Sequence, residues 1–135
     1  MRATSTTQIS AFLENTPGVV ARLCDALLED DIDIRAMTVL DTVDVGTMRM
    51  VVDDVEKAKA SLTKAGAAYV EVPVLSVELE NEPGAFALVA RKLAAHNINI
   101  DYFYTTAAKD TDHTLAIFRV SDAEAAQDID FEATA

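Results

Sequence analysis

The sequence predicts an α+β protein made of two copies of one strand-helix-strand-strand-helix-strand unit, and three observations carry that reading. Glu14-Asn15-Thr16-Pro17-Gly18 returns sixty-six positions later as Glu80-Asn81-Glu82-Pro83-Gly84. At the same offset Ser10 matches Ser76, Leu13 matches Leu79, Ala21 matches Ala87, Leu27 matches Leu93, Ile32 matches Ile98 and Ile34 matches Ile100. A second block, Val52-Asp53-Asp54-Val55-Glu56, matches Val120-Ser121-Asp122-Ala123-Glu124 two residues late, which places an insertion in the second copy between Thr105 and Thr114. Finally, the apolar period switches between 2 and 3.6 residues in the same order in both copies.

The elements follow in turn. Ile9 to Leu13 is a short bounded apolar run and Leu75-Ser76-Val77-Glu78-Leu79 alternates, so both read as first strands. The proline four residues on suits the first turn of a helix. Thr16 or Asn15 is the expected cap in the first copy and Asn81 in the second, Glu82 being a poorer cap. Val19, Val20, Leu23, Cys24, Leu27 and Leu28 make one helical stripe; Phe86, Val89, Ala90, Leu93 and Ala94 make the other. After the polar stops Asp30-Asp31 and His96-Asn97, Ile32-Asp33-Ile34 and Ile98-Asn99-Ile100 open the second strands.

Turns over 41–46 and 107–112 lead to third strands, where Met48, Met50 and Val52, or Ala116, Phe118 and Val120, fall on one face. Asp53-Asp54 starts the next helix, which carries Val55, Ala58, Leu62 and Ala65 and stops at Gly66. Ala68 to Val72 is a fourth strand, closed or bent by Pro73. In the second copy thirteen residues follow Asp122, enough for a short helix over about Ala123 to Asp128 and little more than a trace of a strand at Phe131 to Thr134. The expected layout is a flexible tail over 1–7, one module over 8–73 and a second, shortened at its end, over 74–135. Each is ferredoxin-like, with helices on one face of an antiparallel sheet, and the short junction at Pro73-Val74 predicts modules packed through their sheets.

The net charge of −12 argues against a nucleic acid or an anionic membrane as partner. One cysteine, Cys24, excludes an internal disulfide and belongs on an apolar helix face. No apolar run is long enough to cross a bilayer, and the opening residues lack the apolar stretch of a signal peptide, so a cytoplasmic location is expected. Asp41, Asp44 and Gly46, or Asp110, Asp112 and His113, lack the spacing and distal Glu of a calcium loop. His96 and His113 do not make a zinc set. There is no Gly-x-Ser-x-Gly, and Arg49 or Arg119 on an open sheet face is thin material for acid–base work. No enzyme activity, cofactor or metal is expected.

The chemistry that remains is binding. A helix N-terminus offers unpaired N–H groups and partial positive charge to a carboxylate. Glycine at the turn lets a ligand approach the backbone, and Asn15 and Asn81 bring both donors and acceptors. Structural punctuation alone would also explain each Pro-Gly.

A strand running into Asn-x-Pro-Gly, then a helix, then Ile-x-Ile and a hairpin resembles the ACT domain, a small-molecule sensing module. Both copies carry it, Asn15-Thr16-Pro17-Gly18 through Ile34 and Asn81-Glu82-Pro83-Gly84 through Ile100. More closely, the chain is similar to stand-alone tandem ACT proteins, which bind amino acids and carry no catalytic domain. The resemblance implies ligands where this turn faces a neighbouring module. The candidate ligand-binding residues are therefore Asn15, Thr16, Gly18 and Val19 in one copy and Asn81, Glu82, Gly84 and Ala85 in the other. Ile34, Ala36, Ile100 and Tyr102 are secondary candidates on adjoining strands, with Asp33 or Asp101 as counter-charge for an amino group. Glu82 in place of Thr16 weakens anion binding in the second copy unless it pairs with the ligand's amine.

The expected partners are a free amino acid, with an aliphatic or aromatic side chain suggested by Val19, Ile34 and Phe86, and a second copy of the chain that covers the sheet edges. The alternative is a regulatory subunit acting by protein contact on a separate biosynthetic enzyme, as the small subunit of acetolactate synthase does. Met48 and Met50 would be adaptable contacts there, although core packing explains them better.

Overall fold

The structure is a computed structural model, and it describes residues 2–14, 16–41, 45–80, 82–106 and 113–132. The elements run β1 (Arg2–Leu13), α1 (Val19–Glu29), β2 (Ile34–Asp41), β3 (Gly46–Val52), α2 (Val55–Lys64), β4 (Tyr69–Glu80), α3 (Ala85–Ala95), β5 (Ile100–Thr105), β6 (His113–Val120) and α4 (Ala123–Ala126). They divide into two compact units. The first module is Thr7–Val72; the second joins the residues up to Thr6 to those from Pro73 onward. The long strands β1 and β4 therefore give part of their length to each module.

In the first module the strand order is β2-β3-β1-β4. β1 and β3 pair antiparallel with Ile9 opposite Met50, β2 and β3 with Met37 opposite Met50. The Phe12 amide donates to Ala68 O at 2.9 Å, which closes the other side. Alternation puts Ile9, Ala11, Met48 and Met50 against Leu23 and Leu27 of α1 and Leu62 of α2, all buried. Both methionines are fully buried, as core packing requires.

The second module repeats this plan in the order β1-β4-β6-β5, with Leu75, Val77, Leu79 and Phe118 packed on Val89 and Leu93 of α3. Phe103 pairs with Phe118 as Met37 pairs with Met50. The offset is thus sixty-six on one strand of the hairpin and sixty-eight on the other, so the two extra residues lie in the connecting loop. Each hairpin also has a register shift at the matched position, between Ile34 and Ala36 or between Ile100 and Tyr102.

Residues 2–6, expected as a loose tail, instead form the strand that completes the second module. α4 has four residues, and Ile129 and Phe131 then bury themselves in turns that replace the missing helix. Phe131 is not in a strand, and residues 133–134 of that expected strand lie outside the described residues. Ala3 packs on the core, and the Ser5 amide donates to Gln127 Oε1. Pro73 does not close a strand either; β4 runs through it, and its carbonyl accepts from Arg119 Nη1 at 3.1 Å.

The helix ends explain the duplicated sequence. α1 and α3 start one residue after the glycine, so Gly18 and Gly84 are the N-caps and the proline is not in the helix. Val19 N donates to Thr16 O and Ala85 N to Glu82 O, both at 3.4 Å. With φ +91° and ψ −9° at Gly18 and φ +89° and ψ −6° at Gly84, each Pro-Gly fills the central positions of a type II turn. Thr16, one expected cap, therefore lends its backbone carbonyl rather than its side chain, as Glu82 does in the second copy, and the other expected caps, Asn15 and Asn81, lie outside the described residues.

At the other ends Ile32 N donates to Leu27 O and Asp31 N to Leu28 O, matched by Ile98 N to Leu93 O and Asn97 N to Ala94 O. Asp31 and Asn97 adopt φ +59° and +58°, which completes the left-handed termination and buries Ile32 and Ile98. The helical stripes are narrower than expected. Leu28 is 72% exposed, and Phe86, Ala90 and Ala94 are also on the outside.

Candidate functional site

Each β1-to-α1 type of turn presents an open helix N-terminus. Thr16, Pro17 and Gly18 are exposed with Val19 half-buried behind them; Glu82, Pro83 and Gly84 are exposed with Ala85 buried. A Cβ built on Gly18 or Gly84 meets nothing within 4 Å, so the glycines are there for their backbone angle and not for lack of room. Neither helix has a side-chain cap hydrogen bond or an acidic residue in its first turn, unlike α2, where Asp54 accepts from Lys57 N. Among the described residues no side chain caps the first-turn donors of α1 and α3, at the positive ends of those helices.

The structure gathers Thr16, Gly18 and Val19 at one end of the first module but leaves Ile34 and Ala36 away from them. The crossover helix returns the chain to the start of β2, so the turn sits beside the end of that strand. Leu13 pairs with Gly46, and Gly46 pairs with Asp41, whereas Ile34 lies opposite Val52 at the far end. At ~3.4 Å per residue the separation along β2 is roughly 20 Å. Ala36 is also buried. In the second module Glu80 pairs with His113, while Ile100 and Tyr102 pair with Val120 and Arg119 far from the turn of Gly84. Asp33 and Asp101 share that far end; the Asp33 amide donates to Asp53 Oδ1 and the Asp101 carboxylate accepts from Asn99.

Two residues at the first turn, Glu14 and Arg22, were not among the expected site residues. A cavity of about 170 Å3 is lined there by Phe12, Glu14, Val19, Arg22, Leu23 and Gly66, among others. Arg22 begins the hydrogen-bonded helix, its amide donating to Gly18 O at 2.9 Å, and its Nη1 donates to Ala65 O at 2.8 Å. Ala65 is the C-cap of α2, so a cation meets the negative end of that helix. Arg22 also lines a wider groove of about 520 Å3 between α1 and α2, where Asp25, Glu29 and Asp30 stand with Lys64. As a charged residue on an amphipathic helix, Arg22 reads as solvated surface until the C-cap of α2, forty-three positions later, is placed beside it. A cavity of about 480 Å3 in the second module holds Arg119, Asp122 and Gln127, away from its turn.

Cys24 is half-buried on α1, and burial together with the neighbouring Asp25 carboxylate pushes its thiol above the ordinary value. Among the described residues no group of three His, Cys, Asp or Glu side chains is placed to hold a metal ion. No helix among them is long and apolar enough to cross a membrane.

Comparison with known proteins agrees with this architecture. No curated protein matches the chain. Among solved structures, protein BT0572 from Bacteroides thetaiotaomicron is 28% identical, with a TM-score of 0.83 over 92% of this chain and 85% of that one. The regulatory subunit of aspartate kinase from Thermus thermophilus, in its ligand-free form, has a TM-score of 0.66 at 18% identity, covering 94% of this chain and 93% of its own. The aspartokinase alpha and beta subunits give 0.60 at 16% identity over 87% and 86%. These last two share the fold. The model of the ACT domain pair matches residues 4–134, nearly the full length, and this chain belongs to that family.

Proposed function

We propose that this ACT domain pair is a non-catalytic regulatory protein that binds a free amino acid at the turn into the first helix of a module. The observation that carries the reading is the exposed type II turn with a left-handed glycine, which leaves the helix N-terminus without a side-chain cap. A carboxylate is the complement of such a site. The shared fold with a regulatory subunit of aspartate kinase supports a regulatory task. Binding would favour one conformation of the protein over another, and that shift is the signal.

A homodimer belongs to this proposal. The edge strands carry exposed apolar side chains, Met37 and Val39 on β2 and Phe103 on β5, which a second copy would cover. The second reading is direct docking on a separate enzyme. It is favoured by the aromatic cluster in which Phe86 and Phe103, both partly exposed, stand 5.1 Å apart.

Thermal unfolding of the pure protein against the twenty amino acids, with EDTA present, tests the first reading. A ligand at a hundred times its Kd adds about 2.7 kcal/mol and should raise the midpoint by several degrees. No shift with any of the twenty, in protein shown to be folded, would leave the docking reading as the better one.

A further inference from the structure

We propose that the cavity at the turn of the first module is the ligand site. Arg22 takes the carboxylate of a small α-amino acid, Glu14 takes its ammonium, and the second module has no equivalent site. This rests on the amino-acid reading above and gives it residues, a size limit and a stoichiometry.

The cavity places one cation and one anion, Arg22 and Glu14, beside the apolar side chains of Phe12, Val19 and Leu23. The bond from Arg22 Nη1 to Ala65 O, in the adjoining groove, anchors one nitrogen of the guanidinium and leaves its other N–H groups for a carboxylate in the cavity that Arg22 also lines. Neither Arg22 nor Glu14 forms an ion pair with another described residue. Only a molecule carrying both charges satisfies the pair; a simple anion meets Glu14, and a simple amine meets Arg22. Gly66, at φ +80° and with nothing within 4 Å of a built Cβ, keeps one side open to the backbone.

The volume sets the side chain. About 170 Å3 is below the ~300–1,000 Å3 of pockets for drug-sized ligands, so glycine, alanine, serine or threonine fits the class and an aromatic amino acid does not. The preference for a large apolar side chain suggested by Val19, Ile34 and Phe86 gives way, because Ile34 lies at the other end of its strand.

The duplication supplies an internal control. At the sixty-six-residue offset Glu14 becomes Glu80, but Arg22 becomes Leu88 and Phe12 becomes Glu78. With Glu82 in place of Thr16, the second turn therefore has three acids, Glu78, Glu80 and Glu82, and a leucine in place of the guanidinium. Gly66 also has no counterpart, since α4 stops after four residues.

The test is calorimetric titration of the full chain with glycine, L-alanine, L-serine, L-threonine and L-phenylalanine, alongside L-alaninamide and N-acetyl-L-alanine. The expected result is one small amino acid bound per chain, weakened roughly tenfold or more in Arg22→Leu and in Glu14→Gln. Both derivatives should bind more weakly than the amino acid to the parent, and neither the amide in Arg22→Leu nor the acetyl derivative in Glu14→Gln should lose affinity, since each variant removes the like charge that opposes it. Circular dichroism and the unliganded midpoint separate loss of binding from loss of fold in Arg22→Leu. Glu14→Gln breaks no ion pair with another described residue and gives a second arm. Unchanged binding in both variants, two equivalent sites per chain, or preference for phenylalanine overturns this assignment while leaving the amino-acid reading intact. No heat and no thermal shift with any amino acid defeats both.

Discussion

The Ser5 amide donates to Gln127 Oε1 at 3.1 Å, across 122 positions of sequence, and both residues belong to the second module. Residues 2–6 are thus the fourth strand of a sheet whose other strands begin at Pro73. Deleting residues 1–6 should strip hydrogen-exchange protection from those amides of 74–80 that face β1, while those that face β6 and those of β3 keep theirs. Gln127→Ala removes only the single bond and should cost about 0.5–1.5 kcal/mol. Unchanged protection after the deletion would mean that another segment pairs with this edge.

Gly18→Val places a β-branched residue at φ +91°. Since a Cβ meets nothing there, the cost is torsional, about 1–2 kcal/mol, and the fold survives. Amino-acid binding should be lost with it, because the turn can no longer hold its shape. Binding as tight as in the parent would show that the turn is not the site.

Asp31 ends α1 at φ +59° and puts a carboxylate at the negative end of the helix. Asp31→Gly relieves both and should raise stability in urea by about 0.5–1 kcal/mol, a small net gain because glycine also frees the unfolded chain. A loss of stability would indicate that the Asp31 side chain holds a contact of its own.

The two cores give a paired prediction. Leu27 and Leu93 are fully buried and each accepts the amide that terminates its helix. Truncation to alanine should cost about 2–5 kcal/mol in either place. Hydrogen exchange should report Leu27→Ala in the first module and Leu93→Ala in the second. Identical exchange patterns from the two variants would show one cooperative core.

Cys24 has its thiol pKa raised, first by burial and then by Asp25. At any pH below that value less thiolate is present than in a free thiol, so reaction with a disulfide reagent near pH 8 should be slower than for the unfolded chain. The folded form holds its proton more tightly. The contribution to stability is therefore complete below the ordinary thiol range and falls as pH rises through the raised value. Cys24→Ser should flatten that alkaline decline.

Periodicity and the repeat were enough to order the strands and helices, because Ile9, Met50, Leu27 and their counterparts obey simple spacings. What they missed had physical causes. Arg2 to Thr6 has one apolar contact, Ala3, so the edge strand leaves no hydrophobic alternation to read. Its threonines suit a strand, but that preference is weak without a partner in view. Pro73 looked like a stop because its missing N–H breaks a ladder, yet the carbonyl still finds Arg119. Arg22 was hidden for a different reason: its surroundings include Ala65 and Gly66, which no local pattern places beside it.

The borrowed strand also fixes an order of events during synthesis. Ser5 is made well before Gln127, and at ~5–20 residues per second the interval is on the order of 6–25 s. Through that time residues 2–6 wait without the helix that will hold them, while Thr7–Val72 already has every strand it needs. Residues 2–6 are thus made well before the rest of their module and seated with it, and a chaperone that shields them would act on that segment and not on the newest residues.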